Sequence, residues 1–204
     1  MRESGILMHI TSLPAPYGIG TMGKDAYAFV DFLVRAGQRY WQILPLTPTG
    51  YGDSPYQSLG ACAGNHYLID LDRLADEGLL KKEEIQNIPW GSNPARVDFG
   101  AMYAHRMNVL RQAFQRFTPD GAYETFVEQN RNWLEDYALF TALKDTLGGK
   151  PWLEWPEALR LRKADALAEK RRELSDEIRL QYFVQYEFDR QWKALRSYAE
   201  PIIT

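Results

Sequence analysis

The chain has few of the residues that build metal and disulfide sites. Its 204 residues include one cysteine, Cys62, and three histidines, His9, His66 and His105. A lone cysteine has no partner for an internal disulfide or a CxxC zinc pair, so we expect Cys62 to be a small buried apolar residue. The histidines show no HxxxH or HExxH spacing, which argues against a metal site. The sequence implies no cofactor.

The chain also lacks basic blocks and long apolar runs. Its net charge is −3, which argues against a nucleic-acid partner. No apolar run approaches the roughly 18 residues of a membrane span, and the first residues do not have the pattern of a signal peptide. We therefore expect a cytoplasmic protein without a membrane partner. The oligomeric state stays open.

Aromatic residues are abundant, with twelve tyrosines, nine phenylalanines and six tryptophans. Flat aromatic faces suit the apolar faces of sugar rings, whose hydroxyl groups need polar partners at the edge. Aromatic residues also fill cores and the seams between helices. Composition alone therefore leaves both interpretations open.

Apolar periodicity predicts a strand, a helix and a second strand at the start of the chain. Residues 5–9 and 40–46 form short apolar runs typical of buried strands, and residues 24–36 place their apolar side chains on one helical face before Gly37. This order predicts a βαβ unit with parallel strands. A short extended run at 67–69 and mostly helical segments follow, at 71–78, 81–86, 98–117, 123–147 and 164–199.

Residues 49–57 predict a tightly shaped loop directly after the second strand. Gly50 and Gly52 permit positive φ and Pro55 fixes φ near −65°. The loop places tyrosine, carboxylate, hydroxyl and amide groups where α/β sheets keep their ligands. The alternative is that these residues only turn the chain, with the tyrosines covering a core edge.

Motifs along nearly the whole chain carry a family resemblance. They are residues 4–7 with His9, 11–14, 16–20, 36–42, 50–57 (GYGDSPYQ), 63–65, 68–71, 97–100, 133–140 and 188–192. Together they resemble the amino-terminal portion of the 4-α-glucanotransferases, the amylomaltases or disproportionating enzymes of glycoside hydrolase family 77, which are related to the α-amylases. The resemblance implies an α/β fold: the first part of a (β/α)8 TIM barrel with a large, mostly helical insertion after the second strand.

The resemblance also implies a division of the chain into three parts. Residues 1–60 would supply the first two barrel strands, the helix between them and the substrate loop. Residues 61–163 would form the helical insertion subdomain. Residues 164–204 would form a long helix leading toward the third barrel strand, so we expect the family pattern to continue beyond residue 204.

The implied activity is the transfer of α-1,4-glucan segments between maltodextrins by a retaining double displacement. The family's catalytic carboxylates lie on later barrel strands, so none is assigned here. We expect Asp53 to brace a turn through its carboxylate, and Asp70 and Asp98 to cap helices. Two alternatives remain: a related hydrolase of the α-amylase superfamily, and a non-catalytic glucan-binding or structural segment.

Four side chains match glucan-contact positions of the family. Tyr56 matches a tyrosine that stacks on the glucose just before the cleaved bond, and Ser54 matches a nearby polar contact. Tyr51 and Tyr103 match aromatics of a second glucan site. The implied partners are α-1,4-glucans: maltose, maltodextrins and amylose.

Overall fold

The computed structural model describes residues 3–50, 52–93, 95–200 and 202. These residues form two compact units. The first contains the chain up to Thr118 together with the residues from Glu187 onward, and the second contains Pro119–Tyr186. No helix of the described residues is long and apolar enough to cross a membrane.

The first unit begins with the predicted βαβ arrangement. Strand β1 (Gly5–Leu7) and strand β2 (Tyr40–Gln42) pair in parallel, with Ile6 opposite Trp41. Helix α1 (Lys24–Arg35) joins them and buries Ala26, Val30 and Leu33 on one face. It ends at Gly37, where φ is +67° and Gln38 N–H bonds to the carbonyl of Leu33, as expected for a glycine that terminates a helix.

The strands are shorter and more exposed than the sequence predicts. Each has three residues, and within them only Trp41 is fully buried, whereas Leu7 is 58% exposed. The expectation of two buried strands is therefore wrong for this structure. In the described part of the chain β1 and β2 form a two-stranded sheet, so no further strand pairs with their outer edges there.

The remaining elements of the first unit are helical. A 3-10 helix (Ile10–Ser12) follows β1, and helices α2 (Leu71–Asp76), α3 (Lys82–Gln86) and α4 (Phe99–Arg116) follow the second strand. Residues His66–Leu68 form a 3-10 helix instead of the predicted extended run, because the Asn65 side chain caps it by accepting a hydrogen bond from Tyr67 N–H at 2.9 Å. The core of this unit includes Ile10, Met22, Val30, Trp41, Leu68 and Leu195.

Every regular secondary-structure element of the second unit is a helix. Helix α5 (Gly121–Thr146) is followed by a 3-10 helix (Trp152–Glu154) and by helices α6 (Glu157–Arg160) and α7 (Ala164–Glu173). Helix α8 (Ser175–Tyr198) starts in this unit and continues into the first. Trp155 stacks on Phe140 with ring centroids 5.4 Å apart, in a core that also contains Leu143 and Ile178.

The single long helix predicted for residues 164–199 is interrupted. Leu174 has φ −102° and ψ 22°, which separates α7 from α8. Its side chain packs in the same core cluster as Leu167 and Ile178. We attribute the break to this packing, because tertiary contacts routinely override the helical propensity of a charged run.

Asp70 joins three segments of the first unit. Its carboxylate accepts hydrogen bonds from Arg73 N–H at 2.9 Å, which caps α2, and from the Thr21 hydroxyl at 2.6 Å. Its own N–H donates to the Gln191 side chain on α8 at 2.7 Å. Asp98 caps α4 in the same way through Ala101 N–H at 3.0 Å, but it is exposed. The prediction that both residues cap helices is confirmed.

We expect Asp70→Ala to lower the free energy of unfolding by about 2–4 kcal/mol, since it removes a helix cap and leaves the buried Thr21 hydroxyl unpaired. Asp98→Ala is the matched control and should cost only about 1 kcal/mol, because it removes a cap alone. Urea unfolding followed by circular dichroism measures both. Equal losses would contradict the role given to Asp70.

Candidate functional site

The described residues of the segment 49–58 form a hairpin-like loop after β2. Thr49 and Ser58 form an antiparallel bridge, and Gly50 N–H donates to the Gln57 carbonyl at 3.2 Å. Inside the loop, Asp53 N–H bonds to the Gly50 carbonyl and Gln57 N–H to the Ser54 carbonyl, both at 3.1 Å. These two consecutive turns confirm the prediction of a tightly shaped loop.

One of the two loop glycines uses its freedom to adopt positive φ. Among the described residues of the loop, Gly52 has φ +92° and Asp53 has φ +57°, whereas Gly50 does not have a positive φ. A non-glycine residue in this region carries a strain cost of about 1 kcal/mol or more. Among the described residues, none donates a hydrogen bond to the Asp53 carboxylate, and burial raises the pKa of this group. The expected turn brace is therefore not seen in the described part of the loop.

Tyr56 extends from the loop into solvent, with 72% of its surface exposed. Its N–H donates to the Ser54 hydroxyl at 3.3 Å, so Ser54 helps to fix the turn that carries Tyr56. An exposed ring on a hydrogen-bonded loop is available for stacking without reorganisation. Tyr51, which was predicted for the second glucan site, lies outside the described residues.

Tyr103 lies in the first half of α4 and is 83% exposed. One turn later, Arg106 is fully buried and its Nη2 donates to the carbonyls of Tyr67, at 2.9 Å, and Ile69. The guanidinium group also lies over the Trp90 ring, 5.9 Å from the centroid. Arg106 therefore fixes the position of α4 relative to the segment that contains Tyr67.

Tyr67 lies in the 3-10 helix His66–Leu68, and its carbonyl accepts the hydrogen bond from Arg106 of α4. Burial and the negative charge of Asp53 raise the pKa of its phenol to about 12, with a further contribution from Tyr103. Sequence reasoning did not single out Tyr67, and its only sequence signal was its place next to the Ala63-Gly64-Asn65 motif.

The histidines act as structural residues in this arrangement. His9 Nδ1 accepts a hydrogen bond from Leu44 N–H at 3.3 Å, and burial lowers its pKa. Burial and the neighbouring Arg106 charge lower the pKa of His66 to about 3. Within the described ranges, no group of three or more His, Cys, Asp or Glu side chains has the arrangement of a metal site.

Cys62 is exposed, which contradicts its predicted burial. It is followed by Ala63, Gly64 and Asn65, which are buried. Gly64 packs directly against α8, because a Cβ atom there would lie only 2.0 Å from the Phe188 ring. This position therefore requires a glycine. The chain therefore turns inward one residue after the cysteine.

Gly18, Gly20 and Gly23 have the GxGxxG spacing that signals a dinucleotide site when it stands between a strand and a helix. The structure gives them another role. A Cβ atom at Gly20 would lie 1.9 Å from the Ile10 carbonyl oxygen, and one at Gly23 would lie 2.0 Å from the Asp70 carboxylate. The N-terminal end of α1 therefore lies next to the Asp70 carboxylate, whose negative charge would repel a phosphate group.

Taken together, the fold and the loop define a class of protein. Two parallel strands joined by a helix, followed by a hydrogen-bonded loop with an exposed tyrosine, are typical of the α/β class of proteins. The carboxylates of Asp70 and Asp98 are engaged as helix caps.

Comparison with known proteins identifies the family. A family model described as 4-alpha-glucanotransferase, glycoside hydrolase family 77, matches residues 8–201. The chain therefore belongs to the 4-α-glucanotransferase family, and the resemblance found in the sequence is confirmed.

Individual relatives agree with this assignment. The 4-alpha-glucanotransferase of Streptococcus pneumoniae is 48% identical over 202 residues, which is 97% of this chain and 40% of the relative. That of Thermus thermophilus is 49% identical over 207 residues, 98% of this chain and 40% of the relative. The chain thus spans about 40% of the length of these curated relatives.

Solved structures show the same likeness. The amylomaltase from Streptococcus agalactiae in complex with acarbose matches all of this chain and 42% of its own, with a TM-score of 0.95 and 45% identity. The amylomaltase from Corynebacterium glutamicum matches 97% of this chain and 28% of its own at 17% identity and a TM-score of 0.71, a likeness of fold alone.

The lowered pKa of His66 predicts a pH-dependent stability. Its folded pKa lies below the unfolded value near 6.5, so the unfolded state binds more protons between about pH 3 and 6.5 and stability falls as pH drops through this window. Between pH 7 and 5 we expect a loss of about 1–2 kcal/mol that is absent from His66→Gln. Urea unfolding at both pH values measures it, and an identical loss in the variant would contradict the assignment.

Proposed function

We propose that the protein to which this chain belongs is a 4-α-glucanotransferase that moves segments of α-1,4-glucans between maltodextrin chains. The observation that carries the proposal is the family match over residues 8–201, with the exposed Tyr56 on a rigid loop directly after β2. Maltose, maltodextrins and amylose are the substrates that fit. The S. agalactiae amylomaltase, whose structure is a complex with acarbose, supports a ligand site of this kind.

The proposed architecture is the first part of a (β/α)8 barrel with a helical insertion after its second strand. The parallel pairing of β1 with β2 and the exposure of Leu7 and Phe32 beside them support it, because barrel strands and helices bury such surfaces against their neighbours. Within this architecture, residues 1–60 belong to the barrel, 61–163 to the insertion, and 164–204 lead toward the third strand.

The proposed chemistry is a retaining double displacement. One carboxylate attacks the anomeric carbon while a second protonates the leaving oxygen, and the two lie about 5–5.5 Å apart. The 4-hydroxyl of another glucan, in place of water, then captures the glucosyl-enzyme intermediate. Asp70 and Asp98 are occupied as helix caps, so we place the catalytic carboxylates in the part of the family's length that this chain does not span.

Within this chain, we assign substrate binding to the loop and to α4. Tyr56 would stack on the donor glucose and Ser54 would provide a polar contact close to it. Tyr51 and Tyr103 would form the second glucan site. The solvent exposure of the Tyr56 and Tyr103 rings supports these roles, because a stacking platform must be open to its ligand.

A cytoplasmic location is part of the proposal. The single, exposed cysteine of a chain this long fits a compartment in which disulfides are rare. The net charge of −3 fits a protein that works on neutral glucans and not on nucleic acid.

The activity is tested by incubating the purified chain with maltotriose beside the S. pneumoniae relative and separating the products by thin-layer chromatography. The relative should give glucose together with a ladder of longer maltodextrins, and the chain should leave maltotriose unchanged. If the purified polypeptide by itself produced longer maltodextrins, our placement of the catalytic carboxylates outside it would be wrong. Short products without longer ones from the relative would indicate hydrolysis in place of transfer.

The role of Tyr56 is tested by ligand binding. Tyr56→Ala should weaken the binding of acarbose about tenfold because it removes the stacking face, whereas Tyr56→Phe should change it less than twofold. Trp152→Ala is the matched control, since Trp152 is another partly exposed aromatic residue and lies in the second unit. Isothermal titration calorimetry measures all four proteins, and an unchanged affinity in Tyr56→Ala would refute the stacking role.

A further inference from the structure

We propose that His9 is a further substrate-binding residue, which donates a hydrogen bond from its Nε2–H group to a hydroxyl oxygen of the bound α-1,4-glucan. This role rests on the proposed function and adds to it, because the family resemblance assigns sugar contacts to the loop and to α4 but none to the end of β1. The structural hydrogen bond of His9 uses only Nδ1. The second ring nitrogen is therefore free for a ligand.

His9 lies between the carboxyl ends of the two parallel strands. The pairing of β1 with β2 continues past Leu7, because Met8 N–H donates to the Gln42 carbonyl at 3.0 Å. At the next step a side chain replaces the main chain, and Leu44 N–H donates to His9 Nδ1 at 3.3 Å. The imidazole is thus held at the edge of the sheet where α/β proteins bind their ligands.

The same hydrogen bond connects His9 to the segment that leads from β2 into the loop. Leu44 stands two residues before Leu46, whose carbonyl accepts a hydrogen bond from Asn65 N–H, on the far side of the loop, at 2.8 Å. The bridge between Thr49 and Ser58 then closes the loop itself. His9 is therefore attached to the base of the loop that carries the proposed donor-site tyrosine.

The main chain on both sides of His9 is fixed. The Trp41 indole donates to the Met8 carbonyl at 2.7 Å, and Ile10 has no exposed surface. Gly20 packs against the Ile10 carbonyl oxygen so closely that a Cβ atom would lie 1.9 Å from it. Since the backbone and Nδ1 are both held, the imidazole can bind a ligand without the cost of reorganisation.

The hydrogen bond at Nδ1 also determines where the proton of the ring lies. A nitrogen that accepts an N–H group carries no proton, so the neutral imidazole has its proton on Nε2. Burial lowers the pKa of His9 below its usual value of 6.5, which keeps this neutral form at pH 7. No described residue accepts from Nε2–H, and this nitrogen is not among the fully buried unpaired atoms of the described residues.

The other two histidines have different surroundings. Both lie on helices and pack against aromatic rings, His66 against Tyr67 at 4.3 Å and His105 against Trp90 at 6.2 Å between ring centroids. Of the three, His9 alone lies at the ends of the strands. Packing therefore accounts for His66 and His105, whereas it leaves the Nε2–H group of His9 without a structural use.

A neutral N–H donor suits the chemistry of an uncharged glucan. A sugar offers apolar ring faces and hydroxyl oxygens, so a site for it needs an aromatic surface and a few fixed polar groups. In the proposed function, Tyr56 supplies the aromatic surface. His9 would supply a donor that binds one hydroxyl and thereby orients the ring.

Two substitutions separate the binding role of His9 from its structural role. In His9→Asn, the amide oxygen can take the place of Nδ1 and accept from Leu44 N–H, but no group reaches the position of Nε2. This variant should melt like the unaltered chain and bind maltoheptaose about threefold to tenfold more weakly at pH 7, the effect of losing one hydrogen bond. Isothermal titration calorimetry measures the affinity and circular dichroism the melting temperature.

His9→Gln should show the opposite behaviour. Its longer side chain can place an amide N–H at the position of Nε2, while Leu44 N–H loses its acceptor. We expect a lower melting temperature, because a main-chain donor is left unpaired, together with an affinity for maltoheptaose within about twofold of the unaltered chain. Full affinity in His9→Asn, or a loss of affinity confined to His9→Gln, would show that His9 is structural only.

Two further variants complete the test. His105→Asn is the matched control and should bind maltoheptaose like the unaltered chain; an equal loss there would refute a specific role for His9. If Tyr56→Ala weakens binding in the same titration while His9→Asn does not, the loop site stands and the role of His9 is wrong. If Tyr56→Ala and His9→Asn both bind normally, or the unaltered chain does not bind, the proposed loop site fails and the contact from His9 fails with it.

Discussion

The first unit depends on one buried carboxylate, that of Asp70. Through it and the adjoining main chain, the Thr21 loop, helix α2 and helix α8 are joined by hydrogen bonds that link residues as far as 121 positions apart. A buried carboxylate is costly unless its partners are supplied, so these contacts must form together. Gly23 is required for the same reason, since any side chain there would occupy the position of the carboxylate.

The proposed glucan surface is an extension of this polar core. Arg106 is fully buried without an ion pair in the described part of the chain, and Asp70 is the first of the groups whose negative charge favours its charged form. Arg106 Nη2 donates to the carbonyl of Tyr67 and to that of Ile69, the residue directly before Asp70, whereas Nε and Nη1 are buried without a hydrogen-bond partner among the described residues. These bonds attach α4 to the polar core one helical turn from the exposed Tyr103.

Sequence patterns predicted the features that local interactions determine. The βαβ order, the caps at Asp70 and Asp98 and the shaped loop all follow from signals within a few residues. The break at Leu174, the exposure of Cys62 and the short strands depend on packing between distant segments, which periodicity does not report. The region of the candidate site divides in the same way: the motif predicts Tyr56, whereas the buried position of Tyr67 beside Arg106 of α4 depends on packing between distant segments.

A second glucan site at Tyr103, as we propose, would affect which substrates the protein favours. A glucan long enough to touch both Tyr103 and Tyr56 would bind both proposed sites as one ligand, so the second contact would benefit from a high effective concentration. A short oligosaccharide would gain nothing from this arrangement. Tyr56 stands on a hydrogen-bonded loop, and a fixed loop would set the distance that such a glucan must span.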